Sequence, residues 1–345
     1  MFSRISEKEE KEEKENKENK ENKENKENKE NKRGKREMRK SQVHGIQVKC
    51  GMSVDDLVKG MRACAFGARR IAESVDIYEE MILEDARIFL GVAGALVPAG
   101  MRPVIAEMLR LHFADVLVTT GANIVHDIIE ALGEHHYVQM QHRDDAYLRK
   151  MGTSRIYDVV VSDKAFEKLE EFMHNTFRSL KSEKYSIREL LWEIGRRIND
   201  EHSILHVAYE NKIPVFCPSL ADSMIGLHAF IFKQISQLNV DAFDDMRDIN
   251  EIFCSSERVG AVILGGGVPK NFILQTALVA PRGGFDYAIQ ITTRTPEDGS
   301  LSGATLEEAV SWGKLRENAK FVTVYCDATI ALPIIIAALR ERLRR

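Results

Sequence analysis

The chain has little of what would tie it to a secreted, membrane-bound or nucleic-acid-binding role. Its five cysteines, Cys50, Cys64, Cys217, Cys254 and Cys326, are odd in number, scattered, and never in C-x-x-C spacing. That argues against a disulfide framework or a cysteine-rich metal module and points to a reducing compartment. Long apolar runs are missing: IALPIIIAAL at 330–339 contains Pro333, has about half the length a membrane span requires, and reads as a buried helix. No apolar signal core precedes it, so the expected location is the cytoplasm. A basic excess is missing too. The formal charge of −4 gives no footing for nucleic acid.

What is present is ample apolar material, 44% of 345 residues, enough for a sizeable core. It is unevenly spread. Residues 7–40 are almost wholly Glu, Lys, Asn and Arg, with six successive ENK triplets at 15–32, and such a segment cannot offset chain entropy by burial. Residues 1–40 are therefore expected to be a disordered tail. Its charge is +3 (15 basic against 12 acidic side chains), leaving −7 for the remainder.

From residue 41 to 345 one domain is expected, with short apolar runs alternating with amphipathic stretches, the pattern of a doubly wound, mostly parallel α/β sheet. The candidate strands are 87–92, 115–120, 213–218, 261–266, 287–293 and 321–326. Candidate helices lie at 99–113 and 301–318, and the stripe Ile71, Val75, Tyr78 and Ile82 has the spacing of a helix core. Most strands are apolar on both faces, as strands covered by helices on both sides must be. Ligands of such sheets bind at strand carboxyl ends. Those ends carry Gly94, Thr120-Gly121-Ala122, Asp222, the Gly265–Gly267 triplet, Thr293 and Asp327-Ala328. Small residues there permit close backbone approach, and the two carboxylates can accept from ribose hydroxyls.

The segment EEAVSWGK at 307–314 brings acids, an indole and a lysine together. On a helix Glu308 and Trp312 share a face, and Gly313 lets the chain leave before Lys314. A lysine beside an aromatic wall loses solvation, which favours a nucleophilic amine, and the indole face suits a cationic substrate. His135 and His136 point in different directions as neighbours, so no metal site is expected from them. His126, a turn into the helix after TTGAN, is either a proton relay or a helix residue bonded to a carbonyl.

The stretches FLGVAGALVPAGMR at 89–102, DVLVTTGANIVHDIIEALG at 115–133, IPVFCPSLAD at 213–222, ILGGGVPK at 263–270, DGSLSGATLEEAVSWGK at 298–314 and VYCDATIALP at 324–333 resemble deoxyhypusine synthase. The resemblance spans about residues 85 to 340. It implies a Rossmann-like NAD-binding fold and a homotetramer with active sites at subunit interfaces. It also implies a reaction in which the aminobutyl group of spermidine passes through an imine on Lys314 to a lysine of the translation initiation factor 5A precursor. By position it assigns NAD contacts to Gly94, Thr120, Gly121, Ala122, Asp222, Gly266, Thr293, Asp327 and Ala328, and amine contacts to Glu308 and Trp312; Asn271 and His126 are further candidate substrate-binding residues.

The amine pocket departs from that pattern. Leu227 and Leu301 stand where the synthases carry acids, Asn271 where they carry a histidine, and Gln275 where they carry an asparagine. Arg294 replaces a small residue beside the cofactor. In these features the chain resembles a sister group, the deoxyhypusine-synthase-like proteins. The alternative readings are an aminoalkyl transferase with another amine donor and a small-molecule acceptor, or a catalytically silent synthase subunit. Retention of Lys314 argues against the silent subunit.

Overall fold

The computed structural model describes residues 42–140 and 144–344; the tail expected at 1–40 lies outside the described residues. Six strands form the main sheet: β1 (Arg87–Val92), β2 (Val116–Thr119), β3 (Val215–Phe216), β4 (Val259–Leu264), β5 (Phe285–Thr292) and β6 (Leu315–Tyr325). Their spatial order is β6-β5-β4-β1-β2-β3, with every neighbouring pair parallel. β2 and β4 are buried at every residue, because helices cover both faces and leave no polar side to the strand. The chain runs outward from β1 to β3, then returns to set β4 on the other flank of β1. This reversal creates a topological switch point, where strand ends diverge and leave a crevice.

The six strands match the apolar runs to within a few residues, except that β6 begins at Leu315, well before 321. The helix expected at 301–318 is correspondingly short, Leu306–Ser311. Thr305 starts it by accepting from Glu308 N at 3.0 Å, and Gly313, at φ +69°, turns the chain out of it. The segment from Leu315 onward pairs with β5 instead, starting with Phe285 opposite Leu315. The helix expected at 99–113 begins at Arg102 and ends at Arg110, because Gly100 is left-handed at φ +87° and breaks the preceding turn at Val97–Met101. The stripe at 71–82 does face the core: Val75 and Tyr78 are buried on the helix Phe66–Leu83, and the Tyr78 hydroxyl donates to the Phe113 carbonyl at 2.7 Å.

The run at 330–339 lies in the helix Ala328–Leu343, with Leu332, Ile335, Ile336 and Leu339 buried. Among the described residues no helix is long and apolar enough to cross a membrane. This helix ends on a polar clasp. Buried Arg342 reaches Asp55 at 2.5 Å, Asp76 at 2.8 Å and Glu79 at 3.1 Å, while Glu341 accepts from Asp55 N at 3.0 Å, in the first turn of the helix Val54–Met61.

Candidate active site

A crevice of about 360 Å³ opens at the carboxyl ends of β1, β4, β5 and β6, and Gly94, Gly266, Thr293, Asp327 and Ala328 line it. Gly266 is required by packing: a Cβ there would stand 2.4 Å from Ser302 Cα. The same serine accepts from Gly267 N at 3.0 Å, which fixes the glycine turn against the loop at 300–304. Asp327 caps the last helix through Thr329 N at 2.7 Å. Nothing lies within 4 Å of where a Gly94 Cβ would project, so a planar or phosphorylated ligand can approach that backbone. Arg294 lines the crevice as well, with an exposed side chain 3.8 Å from Asp298.

The other four nucleotide candidates do not line this crevice. Thr120, Gly121 and Ala122 start the helix Gly121–Ala131 at the end of β2, and Asp222 lies in the loop after β3. The two segments pack together, since a Cβ on Gly121 would fall 2.4 Å from Ser223 Cβ. They belong to the neighbouring strand ends rather than to the crevice floor.

A separate cavity of about 270 Å³ holds Lys314, Trp312, Glu308 and Asn271 together with Lys270, Gln275 and Leu301. Among the described residues none lines both spaces. Lys314 does not sit at a strand carboxyl end: it immediately precedes β6, where its carbonyl accepts from Phe285 N at 3.0 Å, and its side chain reaches back across the cavity. Its ammonium stands 5.8 Å from the centre of the Trp312 ring, a cation–π distance, and donates to Asn271 Oδ1 at 3.2 Å. Asn271 Nδ2 in turn donates to Gln275 Oε1 at 2.6 Å. The carboxamide is thereby oriented with its oxygen toward Lys314. Two residues that depart from the synthase pattern thus form one connected polar chain with the lysine.

Lys270 is the member that sequence reasoning missed. It is 4% exposed, and its Nζ donates to Gln290 Oε1 at 2.9 Å and to the Ala304 carbonyl. Burial pushes its pKa down to about 8; the Glu308 carboxylate opposes this and Lys314 adds to it. It follows Pro269 in the helix Gly267–Gln275 that opens directly from the glycine turn, and its acceptors come from segments distant in the chain.

His126 lies away from the cavity. Its Nδ1 is 2.9 Å from His136 Nε2, and His136 Nδ1 is 2.8 Å from Glu130 Oε1; burial and the neighbouring His136 push His126 down to about 4. It is bonded to an imidazole rather than to a carbonyl. His135 is exposed and directed elsewhere. Leu227 projects from the helix Met224–Lys233 toward solvent, 45% exposed, and is not part of the Lys314 cavity.

A fully parallel sheet with this strand order and an open switch point is a Rossmann-like α/β fold. The particular family emerges from comparison with known proteins, since the family model for deoxyhypusine synthase matches residues 56–339. The chain belongs to the deoxyhypusine synthase family and is thereby an enzyme of the aminobutyl-transferase class. It is 53% identical over 304 residues to a protein of Methanosarcina thermophila named "Probable deoxyhypusine synthase", covering 88% of this chain and 96% of the relative. It is 49% identical over 296 residues to "Probable deoxyhypusine synthase 1" of Archaeoglobus fulgidus, covering 86% and 97%. The crystal structure of the Entamoeba histolytica protein assigned as a deoxyhypusine synthase superposes with a TM-score of 0.59 at 20% identity, over 86% of this chain and 96% of that one. That likeness speaks for the fold.

Proposed function

We propose that this chain is an NAD-dependent deoxyhypusine synthase, cleaving spermidine and transferring its aminobutyl group through Lys314 to a lysine of the translation initiation factor 5A precursor. The observation that carries the reading is Lys314 itself, held between an indole face and an oriented carboxamide in a cavity of its own. Bound NAD would supply a hydride acceptor for the amine and return the hydride to the product. The glycine-lined crevice fits such a group, with Gly94, Gly266, Thr293, Asp327 and Ala328 as its holders, and Thr120, Gly121, Ala122 and Asp222 at the adjoining strand ends.

The chain's own groups account for the remaining steps. Loss of hydride from the carbon beside the secondary nitrogen of spermidine leaves a carbon–nitrogen double bond. Lys314 Nζ adds to that carbon and diaminopropane leaves with the original nitrogen, so the four-carbon unit is stored as an imine on the enzyme rather than as a free aldehyde. The acceptor lysine displaces Lys314 in the same manner. Trp312 and Glu308 hold the cationic end of the chain, and the Asn271 oxygen keeps Lys314 directed into the cavity. His126, outside the cavity, is linked through His136 to Glu130 and is not needed for these steps.

The enzyme is read as a cytoplasmic homotetramer with a charged tail at 1–40 and one catalytic domain at 41–345. Two features favour assembly. Among the described residues the crevice and the lysine cavity share no lining residue within one chain, and Leu227, Phe230 and Ile231 leave an apolar face exposed on the helix Met224–Lys233.

A second reading rests on the cavity lining, where Glu308 is the one carboxylate among Leu274, Leu278, Leu301, Asn271 and Gln275. A single anionic end favours a short amine donor with a small-molecule acceptor. Incubating the protein with NAD and radiolabelled spermidine, trapping with borohydride, and adding the factor 5A precursor separates the two. Label that attaches at Lys314 and moves to the factor supports the synthase. Absence of label with spermidine, but labelling with putrescine or agmatine, supports the small-amine transferase.

A further inference from the structure

We propose that Glu170, His174 and His228 form a binding site for a divalent transition-metal ion of the zinc type, outside both the crevice and the lysine cavity. Glu170 and His174 are four apart on the helix Asp163–Arg178, so they share a face. His228 projects from the helix Met224–Lys233 onto that face. One ligand atom from each of the three lies within 4.8 Å of the others. The two imidazoles stand at 90° with ring centres 6.0 Å apart. Around a tetrahedral zinc, with bonds of about 2.0–2.1 Å, ligand atoms are roughly 3.4 Å from one another, and side-chain rotations of about an ångström close the set.

What raises this cluster above a chance meeting is unsatisfied nitrogen. His228 is 4% exposed, and neither Nδ1 nor Nε2 has a hydrogen-bond partner; His174 Nε2 has none either. Buried polar atoms without partners are rare and call for an explanation. Hydrogen bonding does not provide it here, because the cluster is flanked by the rings of Phe232, 5.9 Å from His174, and Phe177 beyond it. Another grouping of two histidines and a glutamate behaves differently. His136 is bonded through both ring nitrogens, to His126 Nδ1 at 2.9 Å and to Glu130 Oε1 at 2.8 Å. Glu170 is exposed, so the ion would be open to water on one side. Two protein helices would be cross-linked, one of them leading directly from the Asp222 loop.

The test is titration of the chelator-stripped, full-length protein with Zn²⁺ by calorimetry, and with Co²⁺ by visible absorption. One equivalent per chain at micromolar or lower Kd is expected, with a rise in Tm. Both should vanish in His174→Ala/His228→Ala. Glu170→Gln, a surface change that leaves the fold intact, should weaken binding about tenfold or more, while His136→Ala leaves it unchanged. The proposal is overturned by a wild-type protein that binds no zinc, by variants that bind as the wild type does, by loss of binding in His136→Ala, or by sulfur-to-cobalt charge-transfer bands that place the ion on cysteine. None of these readouts depends on transferase activity.

Discussion

Lys270 and Lys314 line one cavity and are held in opposite ways. Lys270 is buried, fixed by a side-chain amide and a backbone carbonyl, and its proton is destabilised by the missing water. Lys314 is half-buried and rests on a single carboxamide oxygen and an exposed indole. The buried lysine has the perturbed pKa that usually marks a reactive group, yet both of its acceptors would be orphaned if it moved. The freer lysine can rotate to a substrate carbon and back at the loss of one bond. On the proposed reaction, Lys270 holds the turn and Lys314 is the lysine free to react.

The division predicts, first, that Lys314→Ala abolishes borohydride-trapped label and lowers transfer by about 10³-fold or more. Mass spectrometry of the trapped wild-type peptide should place the adduct at Lys314; an adduct on Lys270 would break the comparison. Second, Lys270→Met should leave Gln290 Oε1 and the Ala304 carbonyl without a donor, costing about 1–3 kcal/mol in urea unfolding, while the label stays at Lys314.

Third, because the Lys270 pKa falls from 10.5 to about 8 on folding, the folded state binds fewer protons than the unfolded state between those values. The penalty for its charge is full below about pH 8 and is relieved as pH rises toward 10.5. Wild-type stability should therefore gain on the Lys270→Met variant from pH 8 upward, read as the difference between their urea midpoints; a constant difference would refute the assignment. Fourth, Asn271→Ala should reduce kcat/KM by about three- to tenfold through loss of one charge-assisted hydrogen bond. Fifth and smallest, Trp312→Leu should raise the amine KM by about two- to fivefold, the yield of a solvent-exposed cation–π contact.

Much of this architecture is legible in the sequence. Strands buried on both faces, such as β2 and β4, announce themselves as unbroken apolar runs, and each of the six contains such a run over at least part of its length. Gly313 and the EEAVSWGK segment locate the pairing of Lys314 with Trp312, because that contact is local. Where the sequence misleads, a tertiary partner decides the outcome. Residues 315–318 carry helix-compatible side chains, but Leu315 pairs with Phe285 of β5 and the chain runs through a register irregularity to the next pair, Tyr287 with Lys320. Thr120 to Ala122 and Asp222 stand at strand ends, as expected, but do not line the crevice, which opens on the other flank of β1. Lys270 gives no sign of burial because its acceptors, Gln290 and Ala304, come from distant segments, and His174 meets His228 only through helix packing.

The clasp of Arg342 on Asp55, Asp76 and Glu79 has a mechanical meaning. It ties the last turn of the chain to its first two described helices, so a pulling force applied at the two ends loads these three ion pairs before any strand of the sheet. A short C-terminal trim that removes Arg342 would release both ends together, with the inner strands and the lysine cavity still in place, making the clasp a fuse for the rest of the molecule.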